Sequence, residues 1–560
     1  MIKKILKNAT IYTVEGADWE HHPVQAMAVT EDGKIRAVGS EAEILKLAED
    51  VTEIIDLEGR TVLPGFIDSH THVPGNSLTK LFQIDLFGIA DKRKTIQAIR
   101  SFVESHTDLE EYFGAGFNMG MVGEQNEAPC AAWLDEICSD KPIMLRSYDL
   151  HSIWLNTKAM QLCNITKDTE TPAGSRIHKD SEGNPTGLFT DCQSISLLHE
   201  RYTDEQCKQA AEHYLRTLNA WGYTAINSIA PHQHLSPAIY REIQQTDKLT
   251  AHIATSLLIR HDNPEESLEK LKTLRDMINN EEIRVVTAKY LIDGVVEGNT
   301  AYLKEPYDEA AGLGKNYNAY PEWTCEKLEE SFEAVLNAGF SIHCHSIGDA
   351  STSMVLDALE TAQDRAERRD EGFRSTITHL QLVDSEDIPR MKALGVIAAI
   401  QPFWHFKEPG FYSTVEIPAL GEERAEREYP AKSFTDAGII ITASGDFPVS
   451  PENNPFYGIK AGVIRNIYCN DKFDESITDP DDERFLLGKE ERLAVPQLIE
   501  AYTINGAYQM FRENEIGSLS PGKCADYIVL DRNPLTIDVM DLDQVTVLQT
   551  VLNGNTVFRY

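Results

Sequence analysis

The segment Val62-Leu-Pro-Gly-Phe-Ile-Asp-Ser-His-Thr-His72 closes an apolar run with two histidines one residue apart. On a β-strand, side chains two positions apart point to the same face, so His70 and His72 can share one metal ion. The pair needs support from elsewhere in the chain. With 17 histidines in 560 residues, roughly half an HxH arises by chance, and two more are present, His232/His234 and His343/His345. The setting of the first pair sets it apart: a Pro-Gly turn and an Ile-Asp step lead into it, directly after a polar, turn-rich N-terminal region.

A metal site needs several elements to converge. Residues 1–64 alternate short β-like runs (Ile5–Val14, Ala26–Thr30, Lys34–Val38, Val51–Asp56) with Gly and Asp turns, which predicts a small antiparallel unit. Residues 513–560 have the same texture, with Asn553-Gly-Asn as a hairpin signal. The two ends are therefore expected to build one discontinuous β-sandwich. Between them, apolar runs followed by polar loops and helix-period segments recur at Thr224–Ile229, His252–Ile259, Val285–Ile292, Phe340–His345, Thr376–Leu382, Val396–Ile400 and Gly438–Ala443. Counting Val62–Ile67, these make eight strands, the number a (β/α)₈ TIM barrel requires, here assigned to residues 65–512. The first and second runs are too far apart for one βα unit, so residues from about 85 to 205 are expected to form an inserted α/β subdomain.

The segment around His70 and His72 resembles the first barrel strand of the amidohydrolase superfamily. Four further phrases resemble its YtcJ-like branch (amidohydrolase family 3), which includes the N-substituted formamide deformylases: Arg146-Ser-Tyr-Asp-Leu-His-Ser-Ile-Trp-Leu-Asn156, Gly183-Asn-Pro-Thr-Gly-Leu188, Tyr502-Thr-Ile-Asn-Gly-Ala507 and Gly517-Ser-Leu-Ser-Pro-Gly-Lys-Cys-Ala-Asp526. The resemblance implies further ligands in order, each at the C-terminal end of a barrel strand. Lys289 stands in Ala288-Lys-Tyr-Leu-Ile-Asp-Gly294, His345 in Ser341-Ile-His-Cys-His-Ser-Ile-Gly-Asp349, His379 in Thr376-Ile-Thr-His-Leu-Gln-Leu382 and Asp446 in Ala443-Ser-Gly-Asp-Phe-Pro-Val449. With His70 and His72 they imply a nitrogen and oxygen donor set for zinc or a similar divalent ion, one or two per chain.

Each of these positions also has a plainer reading. Lys289 could be a salt-bridged strand lysine; the resemblance implies instead a carbamate formed with CO₂ and bridging two metals, its amine kept neutral by burial. His379 could be a core histidine and Asp446 a loop cap. His345 matches the family's position and lies nearer the strand end than His343, which is then an inward-pointing, hydrogen-bonded barrel histidine, with Cys344 pointing away from both. One departure is Gly445, where the branch has a serine before the aspartate. His232/His234 match no ligand position and fit a substrate-contacting or surface loop. His151 in the insertion, and Trp404 with His405 after strand seven, are candidate substrate contacts.

The ligand set implies a metal-dependent amidohydrolase that cuts a non-peptide C–N bond, an amide or formamide, of a small molecule through a metal-activated hydroxide, with Asp446 as the catalytic proton carrier. A deaminase or an ester or phosphoester hydrolase on the same scaffold is the alternative, because fold does not fix substrate. His345-Ser-Ile-Gly-Asp349 lacks the glutamate that single-metal deaminases of this superfamily place just after this histidine. A non-catalytic regulatory protein is the alternative from another class, but it should lose ligands, and all six are kept.

Composition narrows the partners. Lys and Arg total 52 against 89 Asp and Glu, a formal charge of −37, which argues against nucleic acid and anionic membranes. No apolar run approaches the ~20 residues of a membrane span, and the first residues lack a signal-peptide core, so the expected location is cytoplasmic. Nine cysteines without a CxxC pair fit reduced thiols. A small-molecule substrate is expected, and homodimerisation is allowed.

Overall fold

The computed structural model describes residues 1–560 apart from 90, 119–120, 122–127, 148–151, 172–175, 191, 193–197, 232–234, 368–371, 451 and 474. The chain divides into two compact units, Met1–Gly75 with Tyr214–Tyr560, and Asn76–His213.

The larger unit contains eight parallel strands joined in chain order: β1 Phe66–Thr71, β2 Tyr223–Ser228, β3 His252–Leu258, β4 Ile283–Leu291, β5 Ser341–Ser346, β6 Thr376–His379, β7 Ile397–Ile400 and β8 Ile441–Ala443. Ser69 Oγ donates to Ala443 O at 2.8 Å and ties β1 to β8. This is the expected TIM barrel. Its strands are short and almost wholly buried, as parallel strands covered on both faces must be.

The first expected strand, Val62–Ile67, proves to be parts of two. Thr61–Pro64 pairs antiparallel with Tyr527–Leu530, and the barrel begins only at Phe66. Gly65 allows the passage between them, because a Cβ there would stand 2.2 Å from Thr224 Oγ1 on β2. A continuous buried apolar run hides such a break from sequence reading, since neither part alternates in burial.

The termini form a β-sandwich. One sheet runs Ile35–Gly39, Ala26–Thr30, Ile2–Lys7, Glu53–Asp56; the other runs Thr10–Ile11, Thr61–Pro64, Tyr527–Leu530, Val547–Leu552, Asn555–Arg559. They share a core that includes Leu6, Met27, Val29, Val62, Tyr527 and Val551. The N-terminal part is not purely antiparallel as expected. Ile2–Lys7 pairs in parallel with Glu53–Asp56, and Thr10–Ile11 with Thr61–Val62. Parallel pairing needs a long crossover, and the intervening residues, with their own hairpin and the short helix Glu41–Ile44, supply one.

A buried ion pair links barrel and sandwich. His252 Nε2, at the start of β3, lies 2.9 Å from Asp526 Oδ2, and Asp526 Oδ1 accepts from Asn553 N at 2.7 Å. Burial alone would lower the imidazole, but Asp526 outweighs it and holds His252 up at about 9. A folded-state value above the ordinary 6.5 means that the pair's contribution is fully present below pH 6.5 and is lost as pH rises through about 9. At about 1.4 kcal/mol per unit, the loss is of the order of a few kcal/mol. The stability of the parent relative to His252→Gln, measured by denaturant unfolding, should therefore shrink as pH is raised from neutral to about 10. A flat difference would mean that no charge is held there.

The second unit is an α/β fold of its own. Its six-stranded sheet runs Arg176–Lys179, Pro185–Thr190, Ser152–Leu155, Ile143–Ser147, Tyr112–Phe117, Ile84–Asp85. Trp133, Leu145, Trp154 and Leu188 lie in one of its cores. Its helix Lys92–Ser105 starts at Asp91, whose side chain accepts from Lys94 N, and presents Ile99 and Val103 to that same core. No described helix is long and apolar enough to cross a membrane.

Candidate active site

The six expected ligands, His70, His72, Lys289, His345, His379 and Asp446, line one cavity of about 440 Å³. Five come from the C-terminal end of a barrel strand or the residue just beyond it, and Asp446 stands three residues past the end of β8. Parallel register places them side by side: Lys289 pairs with His343, Leu291 with His345, and Ser346 with His379. His379 at φ +79° and Asp446 at φ +51° sit in left-handed backbone, a conformation that non-glycine residues rarely keep except where function requires it.

Asp446 Oδ1 lies 3.3 Å from His70 Nε2 and 3.2 Å from His72 Nε2, yet Asp446 Oδ1 and His70 Nε2 are buried without a hydrogen bond. These ligand atoms of His70, His72 and Asp446 all lie within 4.8 Å of one another. Buried polar atoms normally find partners, so a cluster of donors aimed at one another around shared space fits a cation. Burial, and after it the positive field of Lys289 and the neighbouring imidazoles, pushes His70 well below the ordinary imidazole range. His343 and His379 are lowered in the same sense, chiefly by burial. Neutral imidazoles are the form that binds metal.

Lys289 is 2% exposed. Burial lowers its ammonium to about 8, with Asp446 opposing, and no ion pair to its Nζ occurs among the described residues, unlike the salt-bridged strand lysine it could have been. The other cluster of potential metal donors among the described residues, His252, Cys524 and Asp526, is already occupied by the His252–Asp526 pair and a contact from Lys34 Nζ to Cys524 Sγ at 3.0 Å.

A sequence model of the amidohydrolase family matches residues 53–558. The chain belongs to the amidohydrolase family. It is 27% identical over 538 residues to YtcJ of Bacillus subtilis (strain 168), an amidohydrolase by name, covering 94% of this chain and 95% of that one. It is 24% identical over 566 residues to the N-substituted formamide deformylase of Arthrobacter pascens, covering 99% and 97%. Among solved structures, a metal-dependent hydrolase of Pyrococcus furiosus superposes with a TM-score of 0.70 at 24% identity, over 95% of this chain and 100% of that one.

In this amidohydrolase three of the four histidines expected as ligands face a second group. His70 Nδ1 meets His343 Nε2 at 2.8 Å, which gives His343 the inward, hydrogen-bonded place expected of it. His379 Nδ1 donates to Gln401 Oε1 at 2.9 Å, and Gln401 is itself held by Ser444 Oγ at 2.9 Å. His345 Nδ1 faces Asp293 Oδ1 at 3.4 Å. That carboxylate is clamped by the backbone N–H groups of Tyr302, Ile347 and Gly348 and by Ser351 Oγ, at 2.8–3.0 Å. Such outer partners fix ring orientation and typically matter about 10- to 100-fold. Gln401 and Asp293 were missed in the sequence, although they stand one and two residues after a strand, in Ile400-Gln-Pro and Ile292-Asp-Gly.

Gly445 does more than omit a hydroxyl. A Cβ there would lie 2.4 Å from Asn453 Oδ1, and Asn453 uses the space to donate to Asp68 Oδ2 at 2.7 Å and accept from Tyr223 OH at 3.2 Å. Asp68 Oδ1 in turn accepts from His70 N at 3.3 Å. Burial, against these hydrogen bonds, pushes the Asp68 carboxyl up to about 7.

Trp404 lines the cavity and stacks on His379, with centroids 5.4 Å apart and planes at 24°. His405 does not line it. The short 3₁₀ turn Pro402–Trp404 sends the next side chain inward, where it is buried against the Tyr429 ring at 4.9 Å. Cys344 is fully buried and is not among the lining residues. His151 and the pair His232/His234 lie outside the described residues.

Proposed function

We propose that the protein is a metal-dependent hydrolase of a non-peptide C–N bond, an amide or formamide of a small molecule, with zinc or a similar divalent ion held by His70, His72, Lys289, His345, His379 and Asp446. The observation that carries this reading is the convergence of six nitrogen and oxygen donors, with buried atoms lacking partners, on one cavity at the C-terminal end of the barrel. The likeness to the formamide deformylase supports the type of bond, and zinc present in the solved structure of the chlorohydrolase TrzN, which shares the fold at a TM-score of 0.52, supports the type of ion.

A divalent ion bound there would supply Lewis acidity, polarising a carbonyl and lowering the pKa of water from 15.7 to about 7. The chain's own residues do the rest. His343, Gln401 and Asp293 hold three ligand rings in place. Asp446, at 3.2–3.3 Å from both His70 and His72, takes the proton of the attacking water at its carboxylate and hands it to the departing amine. Lys289, without an ion pair among the described residues and lowered to about 8, has a neutral fraction at physiological pH; that amine would add to CO₂ and lose a proton, giving a carbamate whose oxygens would be available to hold a metal.

Two measurements test this reading together. Purified protein should carry at least about one divalent ion per chain by elemental analysis, and the double variant His70→Ala/His72→Ala should lose it. The loaded parent should release amine from some member of a panel of N-acyl and N-formyl amines. Full metal retention by the double variant would end the metal assignment, and a panel without amine release would end the amide assignment.

A further inference from the structure

Part of the cavity wall has no role in holding a metal. Beyond the ligand cluster it is formed by loops after β4 and β7, which bring in three carboxylates, Glu297, Glu408 and Glu416, beside the aromatic rings of Phe406, Phe411 and Tyr429. Glu416 is the informative one. It closes the π-helical turn Tyr412–Glu416, is only 6% exposed, and faces the cavity with no hydrogen bond or ion pair to its side chain among the described residues.

We infer that this wall is a subsite for an organic cation, with Glu416 as its counter-ion, so that the amide hydrolysed carries a protonated amine elsewhere in the molecule; this rests on the amide-hydrolase reading and names its substrate class. A buried carboxylate without a partner is costly, and here burial and then two like charges, Glu408 and Glu297, drive the Glu416 carboxyl upward. A cation entering the cavity relieves all of these at once.

Among the described residues no basic side chain pairs with Glu416. The basic groups on the same stretch are committed elsewhere: Lys407 pairs with Glu426, Arg427 with Glu423, and Arg424 donates to the carbonyls of Leu420, Glu305 and Pro306. Lys289, the one lysine or arginine lining the cavity among the described residues, stands among the histidines proposed as ligands. An inorganic ion is disfavoured as the occupant, because the carboxylate oxygens of this trio are not gathered within the 4.8 Å that marks the two metal-like clusters. They are spread around a space of organic size, with aromatic faces that attract ammonium groups electrostatically. A cavity of about 440 Å³ falls in the range of small-molecule sites.

The test separates binding from hydrolysis. Calorimetric titration of the metal-loaded parent near pH 7.5 with n-butylammonium and with its uncharged counterpart n-butanol should show the ammonium binding at least about tenfold more tightly, the size of one charge-assisted contact. Glu416→Gln should abolish most of that preference while leaving metal content unchanged, which rules out an amine bound at the metal. If Glu416→Gln fails to fold, the exposed Glu408→Gln should reduce the preference in the same direction by a smaller factor. In the hydrolysis arm, kcat/KM for N-acetyl-1,4-diaminobutane should exceed that for N-pentylacetamide by a similar factor. Equal affinity of the parent for ammonium and alcohol, or an undiminished preference in both variants, overturns the cation subsite. Failure to hydrolyse either acetamide counts against the amide reading alone, because the titration still decides the subsite.

Discussion

Asp446→Asn is expected to lower kcat by about 10²- to 10⁴-fold, the usual contribution of a positioned acid or base, with a smaller change in KM. Asp446 is the one carboxylate among the six side chains proposed as ligands, and its Oδ1 sits between His70 and His72 without a hydrogen-bond donor of its own. A carboxylate there can accept the water's proton and return it, whereas an imidazole whose lone pair is given to a metal cannot. Asparagine has nearly the same shape and keeps one oxygen for coordination, so metal should stay bound while the proton acceptor is lost. Steady-state kinetics with parallel metal analysis checks this. A variant with full metal and the parent rate would place proton transfer on another group.

Lys289→Ala should cost at least about 100-fold in activity. Groups that only orient a ligand contribute about 10- to 100-fold, and Lys289 is expected to be a ligand itself once carboxylated. Its surroundings favour that chemistry: it is buried, it shares its field with His70, His343 and His379, which burial pushes below the ordinary imidazole range, and burial has already lowered it to about 8. Short-chain carboxylic acids should restore part of the activity of Lys289→Ala by placing a free carboxylate in the vacated space. Crystals of the metal-loaded parent should show density continuing past Nζ. A bare ammonium in a metal-replete crystal, together with no rescue, would remove the carbamate from the mechanism.

How legible each feature was depended on its range. The barrel strands were legible because a strand buried on both faces needs an unbroken apolar run, and those runs recur between polar loops. The break at Gly65 was not legible, because the run Val62–Ile67 is apolar on both sides of it, and only the approach of Thr224 from β2 shows why a glycine stands there. The parallel pairing of Ile2–Lys7 with Glu53–Asp56 was likewise hidden, since strand direction depends on where a distant segment returns.

The candidate ligands were legible through the resemblance to a family whose ligands stand in a fixed order near strand ends, and strand ends are marked locally by where apolar residues give way to Gly, Pro and Asp. The types and order of those side chains thus belong to the sequence by itself, as does the acidic character of the whole chain. What the tertiary structure decided are the contacts between segments far apart in the chain. It set His343 against His70, Gln401 against His379 and Asn453 in the space left by Gly445, and it buried Glu416 without a partner at the cavity wall. None of these follows from spacing, because hydrogen bonding and desolvation depend on distance in space, and only the closed barrel brings loops from different strands round one cavity.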